Sequence, residues 1–342
     1  MDILFTDSLV SQQNPSQSQY STLTLKVDPG SEPIRLSRHS SFPARQYDFK
    51  KTRFIPKSNW PATLTPLNGA DLSLELGEFI GGGRSAVVYS VNVLATEPRG
   101  ESNPPTVTLR SPELCIKVAR PNHCRTLARE AWVYERLAEG VQQGVNVPRC
   151  YGFFTTELRP EQLPFPLWLG EEYDEGVTPE DIDSDDPTQD DSLPDDNDPY
   201  NQAGHSGPRE HSSWVEWRPE ATKPLLSVLV MARGGEIYTH EDHEDDSTRK
   251  DVISILDDLS RGYIFHYDLR MPNLIRAPTD TQECPRHHCV HQWNIIDFAS
   301  TFADKAEKDA QAKKSKLKTI REFQRDNFTE EYFLTGSRDW QS

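Results

Sequence analysis

The sequence has little with which to enter a membrane or to leave a cell. No apolar run approaches the roughly 20 residues that a bilayer span needs. The opening MDILFTDSLV carries acids where a secretory leader carries a basic stretch. Cysteine is scarce, with five in 342 residues and none at paired spacing. That fits reduced thiols and an intracellular place, cytoplasmic or nuclear. Basic charge is also short: the formal net charge is −17. The deficit is local, because Glu157 to Glu220 holds 19 acidic residues against 3 basic ones and the rest of the chain is nearly neutral. Such a stretch repels phosphate, so strong nucleic-acid binding is not expected, nor is a membrane partner.

The mean hydropathy of −0.71 and 26 prolines point to segments outside any packed core. Residues 1–70, rich in Ser, Gln and Pro without sustained periodicity, read as a largely disordered arm. Within it, Arg35, Ser37, Arg38, Ser40 and Ser41 form either a target for a basic-directed kinase or an ordinary polar linker. The centre of the acidic segment, 171–211, reads as a disordered insertion, either merely solvated or a surface for a basic partner. Residues 329–342 read as a tail.

From Asp71 the texture changes. LSLELGEFIGGG and AVVYSVNVL alternate apolar and polar residues as strands, and ELCIKVAR follows as a third. Between Arg125 and Glu139, Leu127, Trp132 or Val133, and Leu137 recur at helical spacing. VPRCYGFFT and LLSVLVMA then resume strand character. Val252, Ile255, Leu256, Leu259 and Tyr263 mark one face of a second helix. Residues 304–328 form a lysine-rich helix with Ala306, Ala310, Leu317, Ile320 and Phe323 available to a core.

Phosphoryl transfer asks a protein to hold phosphates, place a metal and aim a hydroxyl. Candidates for each task occur in order. Gly81 and Gly83, in IGGGRSAVVY, leave a hairpin over which backbone amides can approach phosphate oxygens, although glycines also simply make turns. Lys117 lies inside an apolar strand, where its ammonium needs partners, and Glu130 on the following helix is the natural one. Read singly, Lys117 is a strand-edge charge and Glu130 a solvent-facing helix residue; after a glycine hairpin the ion pair is favoured. HYDLRMPN, with His266, Asp268 and Asn273, has the full H-x-D-L-x-x-x-N spacing, and IIDFA adds Asp297 after two apolar residues.

With those motifs the sequence resembles the protein-kinase-like superfamily over about residues 72–302. The resemblance implies an α+β, two-lobed protein-kinase-like fold, with a β-rich amino-terminal lobe and a reduced, mainly helical carboxy-terminal lobe, spanning 71–328. It implies ATP and Mg2+ as cofactors. Lys117 would contact the α/β-phosphates, with Glu130 fixing it. Asp268 would be the catalytic aspartate, and Asn273 and Asp297 would hold magnesium. Val88 would pack on adenine, Met231 would stand near the gatekeeper position, Ala232 and Arg233 at the hinge, and Glu236 near the ribose. Tyr134, His266 and Phe298 would form a spine.

The departures are DFA in place of D-F-G, the absence of A-P-E, and only 43 residues after Ala299. RIO-type and aminoglycoside-phosphotransferase-like kinases share the missing glycine, whereas the glycine hairpin resembles a protein kinase. The expected function is an ATP-dependent phosphotransferase, acting on Ser/Thr of a protein; a nucleotide-binding pseudokinase and a small-molecule kinase are the alternatives, and the acceptor is not identified. Between Asn273 and Asp297, Cys284, His287, His288, Cys289 and His291 are of types that suit zinc. Their C-x4-C spacing is not a standard pair, and an exposed His-rich loop is the other reading.

Overall fold

Two short strands from the amino-terminal arm, β1 (Tyr20–Lys26) and β2 (Ile34–Arg38), pair antiparallel and turn Leu23, Leu25, Ile34 and Leu36 inward. These side chains are sealed because β1 runs parallel to β5 (Ala70–Gly82), with Leu23 opposite Leu72 and Leu25 opposite Leu74. On its other side, β2 reaches β8 (Cys150–Glu157) through Ser37–Thr155 and Arg38–Phe154. Strands β6 (Ala86–Glu97), β7 (Leu114–Ala119) and β9 (Leu225–Ala232) complete the ring in the order β1-β2-β8-β9-β7-β6-β5. Closure leaves no strand edge unpaired, and alternation along each strand fills the interior with Leu, Ile and Val. Strands β3 (Tyr47–Asp48) and β4 (Arg53–Phe54) pair apart from the barrel, as do β10 (Ile264–Phe265) with β13 (Phe302–Ala303) and β11 (Leu274–Arg276) with β12 (Trp293–Ile295). This computed structural model describes residues 20–28, 30–55, 60, 69–97, 113–140, 142–169, 193, 209–220 and 222–329.

The architecture differs from the two-lobed one that the motifs imply. In place of a lobed fold with a mainly helical carboxy-terminal half, the chain closes a seven-stranded barrel. Among the described residues it has five helices: α1 (Cys124–Glu139), α2 (Pro166–Leu169), α3 (His240–Glu244), α4 (Asp246–Arg261) and α5 (Ala310–Thr329). Two of these span only four and five residues. The arm is corrected too. Residues 20–26 and 34–38 are strands; they pair with each other, but the partners that hold them in the barrel lie about 50 and 120 residues downstream, beyond any local pattern. The basic-Ser stretch is part of this fold: Ser37 lies in β2, and Ser41 is buried with its hydroxyl donating to Glu135. The helices expected from periodicity are found at α1, α4 and α5. Tyr263, however, lies beyond α4 at φ 58°, and Ala306 and Ala310 are exposed.

Helix α1 crosses the outside of the barrel and is covered on nearly every side. Phe42 lies over it, donating its N–H to the Ala128 carbonyl at 2.9 Å, with the guanidinium groups of Arg125 and Arg209 against its ring. Trp214 closes the neighbouring gap and donates to the Ser40 carbonyl at 2.8 Å. Arg129 is fully buried and donates to the Thr301 carbonyl at 2.9 Å, tying α1 to the carboxy-terminal half. Nearly all of the acidic insertion 171–211 and residues 330–342 lie outside the described residues. Within the insertion, Leu193 is described and belongs to the larger core.

Leu36 provides a test of the barrel. Leu36→Ala should cost about 2–5 kcal/mol in denaturant unfolding, the usual range for a sealed leucine. The exposed Leu94→Ala should stay within about 0.5 kcal/mol. Equal, small effects would mean that the arm does not close the sheet.

Candidate active site

Strand β7 is hydrogen-bonded on both sides, to β6 and β9, and its sequence LCIKVA alternates. Leu114, Ile116 and Val118 enter the barrel, which turns Cys115, Lys117 and Ala119 toward α1. Lys117 therefore leaves the sheet beneath a helix, with its side chain 12% exposed. Its Nζ lies 2.7 Å from Glu130 Oε2 and 3.1 Å from Asp297 Oδ1. Burial alone would lower the lysine's pKa; the charges of Asp297 and Glu130 outweigh it and raise it, so Lys117 is a cation. Burial likewise works to raise Asp297, but the Lys117 ammonium and its hydrogen bond hold the carboxyl below its ordinary value. Glu130 is almost sealed, and that desolvation raises its carboxyl against the pull of Lys117.

The HYDLRMPN segment leaves β10 and turns through a 3-10 element, Met271–Asn273, that Pro272 favours. His266 is fully buried, with Nε2 2.9 Å from the Ile296 carbonyl. Ile296 in turn donates its N–H to the Asn273 carbonyl at 3.0 Å. Two staples on one residue thus hold the Asp268 loop against the strand that delivers Asp297. Burial keeps the His266 imidazole pKa low, so this contact is made by a neutral ring. The Asn273 amide donates to the Asp268 carbonyl at 2.8 Å, which commits its nitrogen and leaves its oxygen as the atom able to take a cation. Asp297 sits at φ 64°, a left-handed conformation that aspartate tolerates better than most residues. Rings connect the two halves: Tyr134 of α1 meets Phe298 at 5.3 Å, and Phe298 meets His266 at 5.1 Å.

The glycine hairpin closes with Gly83 donating to the Ala86 carbonyl at 2.9 Å. A Cβ at Gly81 or Gly83 would meet nothing within 4 Å, so packing inside the chain does not require glycine at either place. Val88 stands opposite Lys117 in the ladder, on the same face. Past Cys115's partner Met231, which is buried in the core, the expected hinge is less open than the sequence suggests. Ala232 donates its N–H to Arg149 at 2.8 Å and Arg233 to Glu113 at 2.7 Å, so neither donor is left for a purine. Ala232's side chain belongs to the barrel interior, and Glu236 is exposed. The following backbone is pressed onto β11: a Cβ at Gly234 would lie 2.3 Å from Ile275 Cδ1 and 2.7 Å from the Arg276 carbonyl.

The sequence reading missed Arg270. Its guanidinium lies 3.4 Å from Asp268 Oδ2, which places a cation beside that carboxylate. The signal was a basic residue two positions after the aspartate. Taken together, the residues fit a nucleoside triphosphate with a divalent cation. A buried lysine and a glycine hairpin could meet phosphate, and a carboxylate and an amide oxygen could meet the metal.

Lys117 is also a structural cation. Were Glu130 free to turn to solvent, losing Lys117 would matter little for folding, but Glu130 is only 1% exposed. Lys117→Met should therefore destabilise the chain by about 3–5 kcal/mol at neutral pH, as removing one partner of a buried pair does. Adding Glu130→Gln should restore most of that loss in the same unfolding measurement. A loss under about 1 kcal/mol would show that Glu130 reaches water.

No family profile matches the chain, and no curated protein matches it. Among solved structures it is similar to the crystal structure of a Stt7 homolog from Micromonas algae soaked with ATP, at 14% identity and a TM-score of 0.34. The match covers 71% of this chain and 54% of that one, so the chain spans about half the length of the structure it matches. A superposition of that quality leaves the functional reading to the side chains described above.

Proposed function

We propose that the chain is an ATP-dependent phosphotransferase that moves the terminal phosphoryl group of ATP to an alcohol, the hydroxyl of a protein Ser or Thr. One observation carries this reading: Lys117 Nζ is held between Glu130 at 2.7 Å and Asp297 at 3.1 Å. An ammonium so placed is charged, fixed and accessible from the side of Asp297, whose side chain is 29% exposed. Asn273 and Asp297 would hold magnesium, whose charge would offset that of the phosphates.

The chain's own residues supply the rest. Lys117 binds phosphate oxygens, Glu130 keeps Lys117 from turning away, and the glycine hairpin lets backbone come near. Asp268 orients the acceptor hydroxyl and takes its proton as the oxygen bonds to phosphorus. The bond to the departing ADP oxygen breaks, and the electron pair leaves with ADP. Arg270 offsets negative charge at the transferring group. Asn273 and Asp297 would be the two oxygen donors for magnesium; the two hydrogen bonds to Ile296 keep their segments in register.

The test is transfer from ATP to generic protein acceptors and to small-molecule alcohols, with wild type beside Asp268→Asn. The amide keeps the shape but accepts no proton, so transfer should fall by about 100- to 10,000-fold with ATP affinity unchanged. Equal turnover in both proteins would contradict the reading and favour a nucleotide-binding module. Transfer to small alcohols alone would overturn the protein acceptor.

A further inference from the structure

The insertion between β11 and β12 brings three of its five candidate ligands to one point. Cys284 Sγ lies 3.4 Å from His287 Nδ1, and His287 Nδ1 lies 3.3 Å from His291 Nε2. The other two candidates turn outward: Cys289 and His288 are exposed. The fourth member comes from elsewhere in the chain. Asp258, near the end of α4, places Oδ2 3.3 Å from Cys284 Sγ and 3.4 Å from His287 Nδ1. All four ligand atoms lie within 4.8 Å of one another, and Asp258, Cys284 and His291 are buried.

Hydrogen bonding does not account for this convergence. One imidazole nitrogen has either one hydrogen or one lone pair, yet a thiol, a carboxylate and a second imidazole all approach His287 Nδ1 at 3.3–3.4 Å. Those separations match edges of a tetrahedron around an ion, and every other pair of ligand atoms lies within 4.8 Å. Zinc bonds of about 2.0–2.3 Å at tetrahedral angles put neighbouring ligand atoms about 3.3–3.8 Å apart. The spacing Cys284-x2-His287-x3-His291 also lies within the ranges that zinc loops use.

The surroundings complete the argument. His291 turns Nδ1 to Asp251 Oδ1 at 2.6 Å, leaving Nε2 for the cluster. A carboxylate behind a ligating histidine fixes the tautomer and raises the ring's basicity. Asp251 is itself fixed, its Oδ2 accepting the Gln292 N–H at 2.9 Å, and it lies seven residues before Asp258 on the same face of α4. Arg286 donates to Asp258 Oδ1 and Asn146 to Oδ2 at 3.4 Å, which orients the carboxylate. A thiolate and a carboxylate neutralise a divalent ion, and Arg286 and Asp251 offset each other.

We propose that Asp258, Cys284, His287 and His291 bind a structural zinc ion that pins the 277–292 insertion to α4. Four protein ligands fill the coordination shell, so the ion holds structure and performs no chemistry. What it holds is the β11–β12 hairpin, whose strands begin just after Asn273 and end just before Asp297. The proposal stands independently of phosphoryl transfer, because metal content is measured without it.

The full chain, purified without chelator, should carry about one zinc per molecule by elemental mass spectrometry. Cys284→Ser and His291→Ala should each lower that to about a tenth or less, whereas Cys289→Ser and His288→Ala should keep it. Should the first pair fail to fold, wild type stripped of zinc and reloaded with Co2+ gives the same answer. It should show the visible absorption of a tetrahedral site with a thiolate-to-metal charge-transfer band. Wild type that holds no zinc and takes up neither Zn2+ nor Co2+ overturns the proposal, as does zinc unaffected by Cys284→Ser.

Discussion

A lysine ammonium taken out of water must be met by charge, and in this protein one of the carboxylates that meet Lys117 comes from the next helix and the other from 180 residues downstream. Glu130 comes from α1 and Asp297 from the segment after β12, so the ion triad forms only if helix and strand are both held in place. The structure spends much of its core on that requirement. Phe42, Trp214 and Arg129 fix α1 from three directions. The two hydrogen bonds at Ile296 fix the segment that ends in Asp297. Tyr134, Phe298 and His266 fill the space between the two anchorages with edge-to-face rings.

The amino-terminal strands therefore belong to the site's support. β1 and β2 close the barrel that carries Lys117, and the chain leaving β2 runs directly into Ser41 and Phe42 on α1. A disturbance of that crossing would be felt by Glu130 through the helix, without any contact between the arm and a ligand. On the opposite side, the zinc cluster would limit the freedom of the hairpin between Asn273 and Asp297. Barrel closure thus braces the triad at one end, and the proposed zinc would brace it at the other.

How far all this could be read from the sequence depended on the range of the determining contacts. HYDLRMPN and IIDFA were legible because their spacing is local and each residue type answers a specific chemical need. Lys117 was legible because a lysine in LCIKVA contradicts its apolar neighbours. The barrel was not, since the β1–β2 pair that joins Leu23 to Leu36 is sealed only by β5 and β8, which no short window contains. The backbone bonds from Ala232 and Arg233 to Arg149 and Glu113 were hidden for a related reason, since spacing along the chain does not show them. Asp258 lies 26 residues before Cys284 on an ordinary amphipathic helix, where nothing in its surroundings distinguishes it from a solvated acid. The His-rich loop alone therefore looked irregular.

The central claim is that Lys117, clamped by Glu130 and Asp297, is the anchor for the phosphates of ATP. Calorimetric titration of ATP into the full chain in the presence of magnesium tests it most directly, with wild type and Lys117→Met compared below the melting transition of both. Measurable binding to wild type and at least about tenfold weaker binding to the variant are predicted, since a charge-assisted contact to phosphate is worth about 1.5–3 kcal/mol. Equal affinity of the two proteins, or no binding by wild type, would contradict the account.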